Sequence, residues 1–119
     1  MTIRRATPDI RTEDMAASRE FYRRLGFEEA MDLGWVVTMA SPTNPTAQIL
    51  LVGPEAGQPQ PDVSVEVEDV DTVHAELVAA GADIVYSLRD EQWGVRRFFV
   101  RDPSGMIVNV VSHRCDQLF

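Results

Sequence analysis

Two stretches of this sequence match each other at a fixed distance, and that match restricts the possible folds more than any other feature. Glu13-Asp14-Met15 opens a helical pattern that closes at Leu25-Gly26-Phe27, and Glu68-Asp69-Val70 opens another that closes at Ala80-Gly81-Ala82. The second set lies 55 positions after the first at both ends, pairing Glu13 with Glu68, Tyr22 with Leu77 and Gly26 with Gly81. Each stretch predicts a helix for ordinary reasons. Carboxylates at the start suit the unpaired N–H groups and the positive end of the helix dipole. Met15, Ser18, Tyr22 and Leu25 recur at helical spacing, as do Val70, Val73, Leu77 and Ala80. Glycine directly after each run suits a helix end, because it tolerates a left-handed backbone. Matching starts and stops point to a duplicated unit.

The remainder predicts strands. Residues 3–11 precede the first helix and 62–67 the second. Three strands follow each helix, at 27–31, 35–40 and 47–52, then at 83–87, 95–101 and 106–112. Asp102-Pro103-Ser104-Gly105 has the composition of a type I turn and joins the last two strands as a hairpin. The expected organisation is one domain, residues 1–119, with an internal repeat at 1–52 and 62–113 joined by a Pro- and Gly-rich linker at 53–61. The fold class is α+β, built as βαβββ–linker–βαβββ. A half of this size is marginal alone, which favours close association of halves or of whole chains.

Charge removes some classes of partner. Nineteen acidic residues against 11 Lys and Arg give a formal charge of −8. Nucleic acid is not an expected partner, since binding it requires a basic surface that neutralises phosphates. The acidity either keeps the protein soluble or expresses a preference for cationic or neutral ligands. The start, MTIRRATPDIRTED, lacks an apolar signal core, and no segment approaches membrane-spanning length. The expectation is a cytoplasmic protein with no membrane partner. Cys115, the single cysteine, has no partner for a disulfide within the chain.

A helix covering one face of a sheet leaves strands that alternate between apolar and polar residues. In 62–67, Val63, Val65 and Val67 point one way and Asp62, Ser64 and Glu66 the other. In the first repeat Pro8 and Ile10 point to the helix, with Thr7, Asp9 and Arg11 opposite. The opposite faces of the last strands mix apolar and polar residues: Gln48, Leu50 and Val52, then Ile107, Asn109 and Val111. Such a mixture suits a ligand-lined concavity, though burial of both faces would also produce it.

Glu13-Asp14-Met15 with Ser18, Phe21-Tyr22 and Leu25-Gly26-Phe27 resembles the first-helix signature of the vicinal oxygen chelate superfamily of glyoxalases, bleomycin-resistance proteins and ring-cleaving dioxygenases. Trp93-Gly94-Val95-Arg96-Arg97-Phe98 followed by Asp102-Pro103-Ser104-Gly105 resembles its C-terminal hairpin. The resemblance implies two βαβββ modules forming a curved mixed sheet with the helices on its convex face. It also implies a homodimer, with ligand cups at or near the interface. Metal enzymes of the family draw His and Glu ligands from the first and last strands of each module. Carried over to this chain, those slots fall on Thr7, Asp62, Leu50 and Asn109. Leu50 has no donor atom, Thr7 and Asn109 are weak donors, and only Asp62 is a good hard ligand, whereas catalytic divalent sites take about three good donors.

The histidines do not supply the missing donors. His74 falls within the second helix, and His113 follows the last strand beside Cys115 with no orienting third group visible in the sequence. A His113–Cys115 pair would serve as a metal site or as a nucleophile with its base. Trp35 and Trp93 are either core residues or rings that stack on a planar ligand. Arg96 and Arg97, adjacent on a strand, face opposite ways, and one of them reaches the pocket side. The leading expectation is metal-free binding of a small organic molecule, cationic or aromatic, without a cofactor. Thr7, Asp9, Arg11, Trp35, Gln48, Leu50, Asp62, Ser64, Glu66, Trp93 and Asn109 would line the site. The alternative is a lyase or isomerase that uses a divalent metal, or Asp62 or Glu66 as acid–base group. A scaffold with a vestigial cup is the third possibility.

Overall fold

The computed structural model describes residues 2–113. Cys115 and its pairing with His113 lie outside the described residues. The chain divides into two compact units, one of residues 7–60 and one of residues 2–6 with 61–113. Strand β1 (Ile3–Arg11) contributes its later residues to the first unit and its opening residues to the second. In the second unit those opening residues are held by a bond from the Glu68 N–H to the Thr2 carbonyl, 3.0 Å, and by an ion pair from Arg5 to Glu66.

In the first unit β1 is followed by helix α1 (Met15–Leu25), β2 (Glu28–Asp32), β3 (Val36–Ala40) and β4 (Gln48–Val52). The strands lie in the order β2-β3-β4-β1, with β1 parallel to β4 and the other neighbours antiparallel. Val37, Met39, Ile49 and Leu51 form its core against Ile10 of β1, Met15 and Tyr22 of α1, and Phe27.

The second unit holds β5 (Val63–Val67), α2 (Val70–Ala79), β6 (Asp83–Asp90), β7 (Val95–Arg101) and β8 (Ile107–His113). Its order is β5-β8-β7-β6, with β5 parallel to β8. Val67, Val70, Phe98, Val100 and Val110 form the core, with Val73 and Leu77 of α2 packed on it. Phe98 is fully buried, a side chain worth about 1.5–3 kcal/mol in transfer from water alone.

The repeat extends to individual hydrogen bonds. The Asp14 side chain accepts from the Ala17 N–H at the start of α1, and Asp69 accepts from the Thr72 N–H at the start of α2. At the other end the Phe27 N–H reaches the Tyr22 carbonyl, and the Ala82 N–H the Leu77 carbonyl. Gly26 sits at φ +117° and Gly81 at +81°, the left-handed geometry that lets the chain turn back there. The Thr72 hydroxyl, then its amide, hold the Asp69 carboxyl below the usual aspartate range. In the β7–β8 turn, Asp102 accepts from the Ser104 N–H and hydroxyl and from the Met106 N–H, which lowers its carboxyl likewise.

The α+β class holds, with eight strands and two α-helices among the described residues. Small differences from the sequence expectation have local causes. β2 begins at Glu28, because Phe27 is committed to the helix end. β6 continues through Asp90, carried past Ser87 by two irregularities in its pairing with β7. The linker contains a 3-10 turn over Pro54–Ala56. Among the described residues, no helix is long and apolar enough to cross a membrane.

Candidate functional site

In the second unit the helix covers one face of the sheet, and the register defines what the other face carries. Ser64 of β5 lies beside Asn109 of β8, Asn109 beside Phe99 of β7, and Phe99 beside Tyr86 of β6. The next row runs Glu66, Val111, Arg97 and Arg89. Tyr86 joins this face because the pairing shifts between Ile84 and Tyr86. The shift leaves Ile84 on the helix side and turns Tyr86 to the other. Tyr86 then stacks on Phe99, with ring centroids 4.4 Å apart and planes 22° from parallel.

Polar groups on this face are buried rather than bathed in solvent. Ser64, Glu66 and Asn109 are all less than a tenth exposed. Asn109 donates from Nδ2 to the Ser64 hydroxyl at 3.0 Å, while its Oδ1 is buried with no hydrogen-bond partner. Each Glu66 oxygen has its own partner: Arg5 Nε at 2.6 Å on Oε1 and His113 Nδ1 at 2.9 Å on Oε2. The orienting group that the sequence did not show for His113 is therefore Glu66, brought to it by the parallel pairing of β5 and β8. His74, as expected of a helix residue, packs its ring edge-on against Phe98, 4.8 Å between centroids, on the helix side.

The two adjacent arginines separate as alternation requires. Arg96 points to the helix side, where Asp71 and Asp90 hold it, and the bond to Asp71 raises its pKa further. Arg97 points to the opposite face. Its guanidinium lies 4.8 Å from the Phe99 ring centroid, 4.9 Å from Trp93 and 5.2 Å from Tyr86. Its Nε donates to Glu91 Oε2 at 2.7 Å, the oxygen that also accepts from the Tyr86 hydroxyl at 2.5 Å. Trp93 is thus set beside an arginine on this face, and 40% of it is exposed.

Asp62 has a structural task. Its Oδ2 accepts from the Ile107 N–H at 2.9 Å, and its own N–H donates to the Ile107 carbonyl at 2.7 Å, so it clasps the start of β5 to β8.

In the first unit Asp9, Leu50 and Thr38 share one row of the face away from α1. Thr7 and Thr38 are buried, Asp9, Gln48, Leu50 and Trp35 partly so, and Arg11 is exposed. Gln48 turns its amide to the Pro45 carbonyl at 2.8 Å. Arg11 donates to the Gln60 carbonyl at 3.3 Å and borders a recess of about 180 Å³. Glu13 and the linker residues Pro54, Gln58 and Gln60 border it as well. Of the residues expected to line a site, the second unit therefore groups Ser64, Glu66 and Asn109 on one face, with Trp93 beside it. The first unit brings Asp9 and Leu50 together. Tyr86, Glu91 and Phe99 were not singled out from the sequence. The adjacent Phe98-Phe99 pair was the available signal, because only one of two neighbouring strand residues can face the helix.

Residues 3–110 match the model of the Glyoxalase/Bleomycin resistance protein/Dioxygenase superfamily, and the chain belongs to that superfamily. Solved structures with the same fold include methylmalonyl-CoA epimerase from Mycobacterium tuberculosis, at 20% identity and TM-score 0.76, covering 98% of this chain and 92% of that one. A superfamily member from Vibrio splendidus 12B01 aligns at 19% identity and TM-score 0.68, covering 93% and 99%. An NAD-dependent benzaldehyde dehydrogenase from Legionella pneumophila aligns at 17% and 0.76, covering 92% and 99%. Likeness at these identities establishes the fold and not the activity. A search among curated proteins returns no match.

The residues in the family's ligand slots do not fit a catalytic divalent metal. Leu50 offers no donor, Asp62 is engaged with a backbone amide, and Thr7 and Asn109 offer only neutral oxygens. Among the described residues, no three His, Cys, Asp or Glu side chains converge.

Proposed function

We propose that this protein binds a small organic molecule without a metal ion, on the non-helical sheet face of residues 61–113, and that it works as a homodimer. The observation that carries the reading is the Asn109 side chain, 7% exposed, whose Oδ1 is buried without a partner on a face lined by Phe99 and Tyr86. A buried acceptor left unpaired costs about 1–3 kcal/mol, and a ligand donor would recover it. Aromatic rings around a few convergent polar groups are the usual construction of a small-molecule site. The aromatic character expected of the ligand has more support than a cationic one. Glu66 and Glu91, two carboxylates of this face, already carry Arg5 and Arg97 as paired cations. The direct test is native mass spectrometry of the purified protein, which reads subunit count and bound organic mass together. A metal-free dimer carrying an organic adduct supports the reading. A metal-free protein that takes up nothing from a broad ligand screen rejects it.

A second reading rests on Glu66 and His113. A buried carboxylate bonded to imidazole Nδ1 orients the ring and leaves Nε2 for proton transfer. It is tested by incubating the protein with methylmalonyl-CoA, the substrate named for one structural neighbour, in deuterated water. Exchange at the α-carbon that disappears in His113→Gln would favour an enzyme over a binding protein.

A further inference from the structure

Arg97 is the most unusual group on the proposed face. Its side chain is only 14% exposed, yet Nε is the one nitrogen with a hydrogen-bond partner. Among the described residues no hydrogen bond or ion pair engages its two terminal amino groups. Three rings frame the guanidinium at 4.8–5.2 Å, and Glu91 fixes it from the Nε side. The fork is therefore held still before any ligand arrives, so little side-chain freedom remains to be lost on binding. Terminal amino groups presented in parallel suit the two oxygens of a carboxylate.

Asn109 supplies an independent requirement. Arg97 stands opposite Val111 and Phe99 opposite Asn109 in the antiparallel β7–β8 pair. Arg97 and Asn109 are thus diagonal neighbours on one face, roughly 7–8 Å apart at Cα. The orphaned Asn109 Oδ1 is an acceptor, so its partner must bring a proton donor. Beside both positions lies Phe99, itself 2% exposed, and the partly exposed Tyr86 ring stacked on it supplies the apolar surface for a flat ring.

We propose that Arg97 anchors the carboxylate of a planar aromatic acid. Asn109 Oδ1 accepts from a hydroxyl or amino group on the same molecule. The proposal rests on the small-molecule reading above and names its ligand class. The chain's formal charge of −8 does not oppose it. At physiological salt, fields are screened over about 8 Å, so the charges on this face decide.

The test is calorimetric titration with benzoate, benzamide, benzylammonium and the three hydroxybenzoates, on the wild type, Arg97→Gln, Arg97→Lys and Asn109→Leu. Benzoate is expected to bind at least tenfold tighter than benzamide, with no measurable binding of benzylammonium. Arg97→Gln should lose at least tenfold in benzoate affinity. Arg97→Lys, which keeps the charge and loses the fork, covers the case in which the glutamine variant does not fold, and should also weaken binding severalfold. At least one hydroxybenzoate should exceed benzoate, and Asn109→Leu should erase that advantage. Preference for benzylammonium, failure of all six probes, or benzoate binding unchanged in both Arg97 variants would overturn the proposal. The binding reading falls separately. If the aromatic acids fail while the protein carries an organic adduct that Asn109→Leu releases, only the ligand class is wrong. If no adduct is found either, both readings fail.

Discussion

Replacing Asn109 by leucine should make the free protein more stable and a poorer binder. Leucine keeps the branched shape of asparagine, with four side-chain heavy atoms in a larger volume, and places no polar atom at a position that is 7% exposed. The substitution removes the unpaired Oδ1, relieving about 1–3 kcal/mol, and forfeits the Nδ2 bond to Ser64, about 1 kcal/mol. Ser64 has further contacts and is not stranded by the change. Before the cost of packing the larger side chain, the balance is a gain of about 1 kcal/mol, or roughly 3–5 °C in melting temperature for a domain of this size. Urea denaturation measures it, provided the slope of free energy against urea is unchanged, so that the midpoint reports stability alone. Stability gained together with ligand affinity lost is the pattern of a group retained for function. A loss of more than about 2 kcal/mol would overturn this, because it exceeds what packing the larger leucine costs against that gain and means that Oδ1 is satisfied in solution and Asn109 is a structural residue.

Three other outcomes follow from the same geometry. Phe98→Ala should cost about 3–5 kcal/mol in urea denaturation, since the ring is fully buried among Val67, Val70, Val100 and Val110. Asp62→Asn, which keeps an acceptor for the Ile107 N–H, should change stability by less than about 1 kcal/mol, and Asp62→Ala should cost about 1–2 kcal/mol. Ligand binding abolished by Asp62→Asn at unchanged stability would instead make Asp62 a site residue. The Asp102 carboxyl is held below its ordinary value of 3.8 by the Ser104 hydroxyl and then the Met106 amide. Its contribution is complete above that value and is lost as pH falls through the lower folded one. The stability gap between wild type and Asp102→Asn should therefore narrow from pH 6 to pH 3, and a constant gap in urea midpoints would contradict it.

What the sequence disclosed was local or periodic. The helix ends were legible because Asp14 and Asp69 act on amides three residues away, and because Gly26 and Gly81 close the turns beside them. The valine alternation before α2 was legible because strand side chains alternate without exception between bulges. The aromatic side of the site was not, for two reasons. Tyr86 reaches its face only through a shift in pairing that leaves no mark in composition. Glu66 finds His113, 47 residues away, only through the register of a parallel strand pair. Alternation showed that one of Arg96 and Arg97 faces away from the helix. Asp71 and Asp90, waiting on the helix side, decide that it is Arg97. Asp62 has the chemistry of a site residue, and its clasp on Ile107 becomes visible only once β5 and β8 are paired.

Binding without a metal is decided by repeating a ligand titration before and after exhaustive chelation, with metal content measured on both samples. The purified protein should hold no stoichiometric divalent metal and should bind with the same affinity after chelation. One metal per site, with binding or turnover lost on its removal and restored on its return, would contradict it.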